Sequence, residues 1–297
     1  MKIFLFFLII LTNNNLHSKE LKDIIGHIKF YKTENDETLI DIARINNLAF
    51  PEIMSANQGI DDPWTIENDY HILLPNRHLL PNVNRQGIVV NKGDLRLYYF
   101  SNNNEVYSYP IGIGRGDWET PLGEAIVTGK KKNPYWTVPE SILEEEPHWP
   151  PVVKPGPKNP LGTRAIYLSM PGYLLHGTNK PWGVGMKVSH GCIRLYPEAI
   201  EELYDLVGKG EKVQIIDQPV KSGWEKNTLY LEVHSMHPYG LEDKALIENN
   251  LRLLPQATES LQSTAGHHIA NIDWKKVVNI VKTASGIPEA VLTNIEN

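Results

Sequence analysis

The chain has 297 residues, 41% hydrophobic and 22% charged, with a formal net charge of −6. That is globular composition, long enough for one large domain or two to three smaller ones. The acidic balance gives no support to nucleic-acid binding, which leans on a basic surface, and a single cysteine, Cys192, excludes an internal disulfide.

Lys2 precedes an unbroken apolar run from Ile3 to Leu11. Roughly 20 apolar residues are needed to cross a bilayer, so the run is too short for an ordinary transmembrane helix and has the length of a signal-peptide core. Residues 1–18 are expected to direct export, with Ser18 closing a weak cleavage site. No cysteine lies just after the run, which excludes lipoprotein processing. In an oxidising compartment a free thiol is open to oxidation and mispairing. Cys192 is then either a buried, inert small hydrophobe or a working nucleophile.

Residues 28–75 predict a small separate unit in the order strand, helix, helix, strand. Phe30–Thr33 reads as a strand. In the helix predicted over Asp36–Arg44, Leu39, Ile42 and Ala43 fall at i, i+3 and i+4, and Asp36 or Glu37 suits its N-terminus. Pro51–Asn57 predicts a second helix and Tyr70–Pro75 a closing strand. Residues 76–86, polar with little periodicity, read as a linker.

From Gly87 to Asp217 the chain turns β-rich. Ile88–Val90 and Leu95–Phe100 flank a turn at Asn91-Lys92-Gly93-Asp94. Further strands are expected at Glu105–Ile111, Gly123–Thr128, Arg164–Ser169, Tyr173–His176 and Lys212–Asp217. Pro197–Val207 predicts a helix, with proline at its start and Ile200, Leu203, Leu206 and Val207 on one face. Many short strands with one helix point to a mainly β sandwich or barrel. The stretch from Lys130 to Gly162 carries eight prolines with Tyr135, Trp136 and Trp149. Proline at that density resists helix and sheet, so a stiff aromatic loop covering a site is expected.

Residues 218–297 read as an accessory α/β segment: a strand over Thr228–His234, and helical spacing over Leu241–Leu254 and Asp273–Ser285, the latter stopped by Gly286 and Pro288. Ser260–Ala270 has no clear assignment. His267 and His268 lack further metal-ligand spacing and read as solvent-exposed.

The chemistry concentrates between Leu175 and Leu195. His190 stands two residues before Cys192, and His176 sixteen before it. A cysteine acts as the thiolate, and a histidine in contact can take its proton, giving a thiolate–imidazolium pair. His190 is held beside the thiol by the backbone, which limits its approach. His176, on a separate segment, is the expected base. Gly191 lets the chain turn tightly and expose successive N–H groups, as an oxyanion hole requires.

The string His176-Gly177-Thr178 followed by Ser189-His190-Gly191-Cys192-Ile193-Arg194-Leu195 resembles the catalytic segment of the L,D-transpeptidase (YkuD) family. Gly112-Ile113-Gly114, Thr120-Pro121-Leu122-Gly123 and Asn159-Pro160-Leu161-Gly162 extend the resemblance over residues 87–217. Residues 28–75 resemble a LysM module through Asp36-Glu37-Thr38-Leu39, Ile42-Ala43, Asn57 and Ile72-x-Leu74-Pro75, although Asp69 stands where that family usually has glycine. The combination, with a C-terminal extension and Arg194, resembles a Gram-negative periplasmic subgroup.

The resemblance implies a YkuD-type β-sandwich or barrel, a location in the periplasm, and no metal or organic cofactor. It implies that Cys192 attacks the diaminopimelate carbonyl of a donor tetrapeptide stem and expels D-alanine. His176 would be the base, the Gly177 carbonyl would hold its tautomer, Gly191 and Cys192 N–H groups would bind the oxyanion, and His190 would shape the site. On the substrate side, Arg194 is expected to fix the loop or bind a stem carboxylate, Ser189 to brace the loop, Trp136 to belong to the aromatic cover, and Trp182 to line the acceptor side or pack in the core. The implied partners are peptidoglycan stem peptides and glycan strands, with an outer-membrane protein as a further acyl acceptor and no nucleic acid. An L,D-carboxypeptidase using water, or a non-catalytic wall-binding scaffold, are the alternatives.

Overall fold

The computed structural model describes residues 22–34, 37–235 and 243–293. The expected export segment and the capping role of Asp36 lie outside them. Four hydrophobic clusters organise the described chain, and one wide sheet stands at its centre.

Residues 28–75 form a βααβ unit. Strands Ile28–Lys32 and His71–Pro75 pair antiparallel in the register Ile28 to Pro75. Helix Leu39–Ile45 begins at Thr38, whose hydroxyl accepts from Asp41 N–H, the usual N-cap arrangement. Its apolar stripe buries Leu39, Ile42 and Ala43 against Leu48, Ile53, Ile72 and Leu74. The second helix, Phe50–Ala56, starts where Glu52 reaches back to accept from Ala49 N–H at 2.6 Å. Asp69 takes φ +60°, a left-handed conformation that aspartate tolerates and glycine more readily supplies.

The central sheet runs Ile193–Arg194, Leu174–His176, Arg164–Leu168, Gly123–Lys132, Lys212–Ile216, Gly87–Asn91, Arg96–Phe100, Val106–Pro110. Two of its joins are parallel, 174–176 with 193–194 and 212–216 with 87–91. A bridge between Gly112 and Arg194, with N···O distances of 2.9 and 2.8 Å, ties the continuation of the last strand back to the first. The sheet therefore curls until its edges meet, the mainly β fold expected, in barrel rather than sandwich form. Ile88, Val90, Leu97 and Val213 point into a core closed by Ala199, Ile200 and Leu203 of helix Pro197–Leu206.

The residues read as a linker are packed instead. His78–Leu79 pair with Ile24–Ile25, and Leu80 covers Val89, Tyr98 and Phe100 on the back of the sheet. A strand buried on both faces reads as a continuous apolar run, and such a run needs a second cover, which the 76–86 segment provides. The proline-rich stretch is likewise more ordered than a bare loop. It holds a short pair, Trp136–Thr137 with Val152–Val153, around helix Glu140–Glu145. Its prolines fall outside those paired residues and outside the helix interior, where they remove no ladder bond.

Residues 220–292 build a three-stranded sheet, Val220–Glu225, Thr228–Val233 and Glu289–Leu292, covered by helices Asp243–Leu251, Leu254–Ala265 and Trp274–Thr283. The middle helix runs through the stretch left unassigned at Ser260, carried by Ala257, Leu261 and Ala265 on one buried face. The last helix stops at Ala284, φ +42°, two residues before Gly286.

Buried ions join these units. Arg96, 2% exposed, donates to both carboxylate oxygens of Glu52 at 2.7 and 3.0 Å. Lys221, fully buried, donates to Asp94 and Leu79 O at 2.7 and 2.8 Å and pairs with Glu232 at 2.7 Å. Asp94, Glu232 and His234 are clustered as metal ligands could be, but the Lys221 ammonium stands among them and supplies the positive charge.

Candidate active site

Cys192 sits at the seam where the sheet closes. Lys187–Ser189 pairs parallel with Ile113–Gly114, and Ile193–Arg194 pairs parallel with Leu174–His176. The turn between them requires glycine. Gly191 has φ +98°, and a Cβ there would stand 2.9 Å from the Tyr173 ring, so a side chain would meet both strain and a clash. Two hydroxyls hold the turn: Ser189 Oγ donates to Cys192 O at 2.6 Å, and Thr120 Oγ1 donates to Gly191 O at 2.8 Å. Among the described residues the N–H groups of Gly191 and Cys192 make no hydrogen bond. Two adjacent free donors beside a thiol are the elements of an oxyanion hole.

His176 is 3% exposed. Its Nδ1 lies 2.5 Å from Gly177 O, so Nδ1–H donates to that carbonyl and Nε2 keeps its lone pair. Burial lowers its pKa to about 3; the Arg194 charge acts in the same direction, and the Gly177 and Pro160 carbonyls oppose it. Burial also pushes the Cys192 thiol up, against a backbone hydrogen bond at Leu174 and the Arg194 charge. Both shifts favour the uncharged forms, thiol and neutral imidazole, over the thiolate–imidazolium pair. At rest Sγ lies 3.5 Å from Gly172 O.

Both residues line a cleft of about 500 Å³. Ser189, His190, Arg194 and Trp136 of the expected set line it too. Arg194 Nε has no hydrogen-bond partner among the described residues, and burial lowers the pKa of its guanidinium. Trp182 is different. It lies in the turn Pro181–Gly183, outside the lining, and is 56% exposed; it neither lines the cleft nor packs in the core.

His190 is held by residues that the motif does not contain. Its Nε2 lies 3.1 Å from Glu145 Oε2 and 3.3 Å from Arg115 Nη2, and Arg115 pairs with the same carboxylate. Trp118 meets the His190 ring edge-on with centroids 5.3 Å apart. Desolvation works against the Glu145 charge, but its bonds to Arg115 and His190 hold the carboxyl below its usual range. His190 is thus a clamped member of the loop, as its proximity to Cys192 suggested. Arg115 also donates its N–H to Ser189 O at 3.0 Å. It directly follows Gly112-Ile113-Gly114, which is the signal that could have marked it; Glu145 has none.

Residues 85–215 match the family model of the YkuD L,D-transpeptidase catalytic domain. The probable L,D-transpeptidase YcfS of Escherichia coli K12 is 38% identical over 89% of this chain and 84% of its own length. The probable L,D-transpeptidases YbiS of Escherichia coli K12 and ErfK/SrfK of Salmonella typhimurium are each 34% identical over 86% of this chain, and 83% and 82% of theirs. The solved catalytic domain of the Enterococcus faecium L,D-transpeptidase is 19% identical with a TM-score of 0.37, covering 46% of this chain and 99% of that one. On the identity and coverage of the full-length relatives, the chain belongs to the L,D-transpeptidase (YkuD) family.

Proposed function

We propose that the protein is a periplasmic peptidoglycan L,D-transpeptidase. Cys192 Sγ attacks the diaminopimelate carbonyl carbon of a donor tetrapeptide stem. The S–C bond forms, the thiol proton passes to His176 Nε2, and the bond to the terminal D-alanine nitrogen breaks as that nitrogen takes the proton. The N–H groups of Gly191 and Cys192 meet the oxyanion; removing one such donor typically costs about 3 kcal/mol. An amine then attacks the thioester and Sγ leaves with its electron pair. The observation that carries this reading is the orientation of His176: with Nδ1–H given to Gly177 O, Nε2 is the acceptor in the cleft that Cys192 shares.

A side-chain amine of another stem would give a 3→3 cross-link. An amine of an outer-membrane protein would give a tether, and water would make the protein an L,D-carboxypeptidase. The βααβ unit would hold glycan strands in the manner of a LysM module. Incubation of the purified protein with muropeptides, followed by mass spectrometry, separates cross-linked, protein-linked and trimmed products. Cys192→Ala is expected to abolish every one of them while retaining the fold; products persisting in that variant would overturn the mechanism. His176→Ala should slow thiol alkylation at neutral pH, and alkylation at the parent rate would remove His176 from its role.

A further inference from the structure

The acyl-transfer reading leaves open where the attacking amine is received, and the cleft is electrically lopsided. Arg115, Lys180 and Arg194 line it, and among the described lining residues Glu146 is the single carboxylate. Helix Glu140–Glu145 ends against the catalytic loop, with Glu145 on His190. The next residue, Glu146, borders the cleft instead. Two tryptophans stand with it. Glu146 Oε2 accepts from Trp149 Nε1 at 3.0 Å, and Trp149 meets Trp136 edge-to-face with centroids 5.1 Å apart. His148 Nε2 approaches the same oxygen at 3.7 Å, while Oε1 makes no hydrogen bond among the described residues.

We propose that Glu146, Trp136 and Trp149 form a binding site for the ammonium group of the acyl acceptor. A carboxylate with one oxygen fixed by Trp149 Nε1–H and the other without a partner among the described residues suits a primary ammonium, which gives it a charge-assisted hydrogen bond. A donor stem brings carboxylates and suits the cations of the cleft, Arg115, Lys180 and Arg194, whereas the acceptor brings a cation and suits Glu146. The ammonium gives up one proton to solvent before reaction. The neutral amine then forms the C–N bond, the C–S bond breaks with its electron pair on Cys192 Sγ, and the amine's second proton reaches that sulfur through His176.

The inference rests on the transpeptidase reading, and the test separates the two. The probe is Nα-acetyl-lysine methylamide, which carries one ammonium and no carboxylate. In the first arm, its binding to full-length Cys192→Ala protein is followed by NMR, with no acylation required. Saturable binding is expected, weakened at least tenfold by Glu146→Gln, which retains an oxygen for Trp149, and by Trp149→Leu, but not by Glu144→Gln on the exposed side of the same helix. Equal affinity in Glu146→Gln, or no binding at all, overturns the proposal. In the second arm, the protein with intact Cys192 is acylated by a tetrapeptide donor, and the ratio of aminolysis to hydrolysis is measured against probe concentration. The half-maximal concentration should rise about tenfold in Glu146→Gln; an unchanged ratio overturns the proposal. Failure of the parent to form a thioester would sink the transpeptidase reading, and the first arm would still decide the ammonium site.

Discussion

Two of the cations drawn out of water in the described chain, Lys221 and Arg194, are treated in opposite ways. Lys221 is fully buried, with Asp94, Glu232, Tyr98 and the Leu79 carbonyl around its ammonium. Burial opposes its charge, but the two carboxylates outweigh it and hold the pKa well above the usual lysine range. Arg194 is half-buried with Nε unpartnered, and burial lowers its pKa. Lys221 is a structural charge whose donors are spent on fixing three segments. Arg194 keeps a donor unspent, and its charge acts on both Cys192 and His176. An unmatched charge in a cleft marks function more surely than a matched one in a core.

The largest effect that would break this contrast is expected at Lys221. Lys221→Met should destabilise the protein by about 3–5 kcal/mol, because it leaves buried carboxylates uncompensated. Urea unfolding checks it, and a loss below about 1 kcal/mol would show that the network is not what joins the units. Acid should act next. His176 is held at about 3, and His78, whose ring nitrogens have no partner among the described residues, is pushed well below the usual imidazole range by burial and then by Arg96 and Lys221. Both rings stay neutral in the folded chain while the unfolded chain protonates below about 6.5. The unfolded state therefore binds more protons, and stability falls as pH drops from about 6.5 towards 3, with a limiting slope of about 1.4 kcal/mol per pH unit for each histidine. Urea unfolding at pH 7 and pH 5 measures it, and His176→Asn should remove its share. The smallest change in stability belongs to Arg194. Arg194→Gln should alter stability by less than about 1 kcal/mol, since no ion pair is broken. It should move the pH profile of Cys192 alkylation upward, because Arg194 lowers the thiol pKa. A large stability loss with an unmoved profile would make Arg194 a structural residue like Lys221.

The sequence exposes those parts of the site that are local and hides those assembled over distance. Cys192, His176 and Gly191 were legible because their chemistry lies in one stretch of 21 residues. Seven of the eight strands of the central sheet were legible because burial on one or both faces writes a pattern into each, whereas the two-residue strand Ile193–Arg194 is too short to carry one. Glu145 was not, since it meets His190 from 45 residues away, out of a segment whose prolines signal irregular chain. The helix Leu254–Ala265 was overlooked for a different reason. Its buried face is two alanines and one leucine, too faint a stripe among serines, threonines and glutamines to announce a period. The packing of 76–86 was hidden because what buries Leu80 is the back of a sheet formed by other segments.

The turn between strands Gly87–Asn91 and Arg96–Phe100 has a consequence for how this molecule can be divided. Asp94 in that turn holds Lys221 of the C-terminal unit, and Arg96 just beyond it holds Glu52 of the N-terminal unit. A Cβ on Gly93 would stand 2.2 Å from Pro219 N. Excising the family-matched residues 85–215 would therefore cut two buried ion pairs at once and leave one half of each, a guanidinium and a carboxylate, without its partner. Residues 93–96 thus tie the central sheet to both neighbouring units of the described chain.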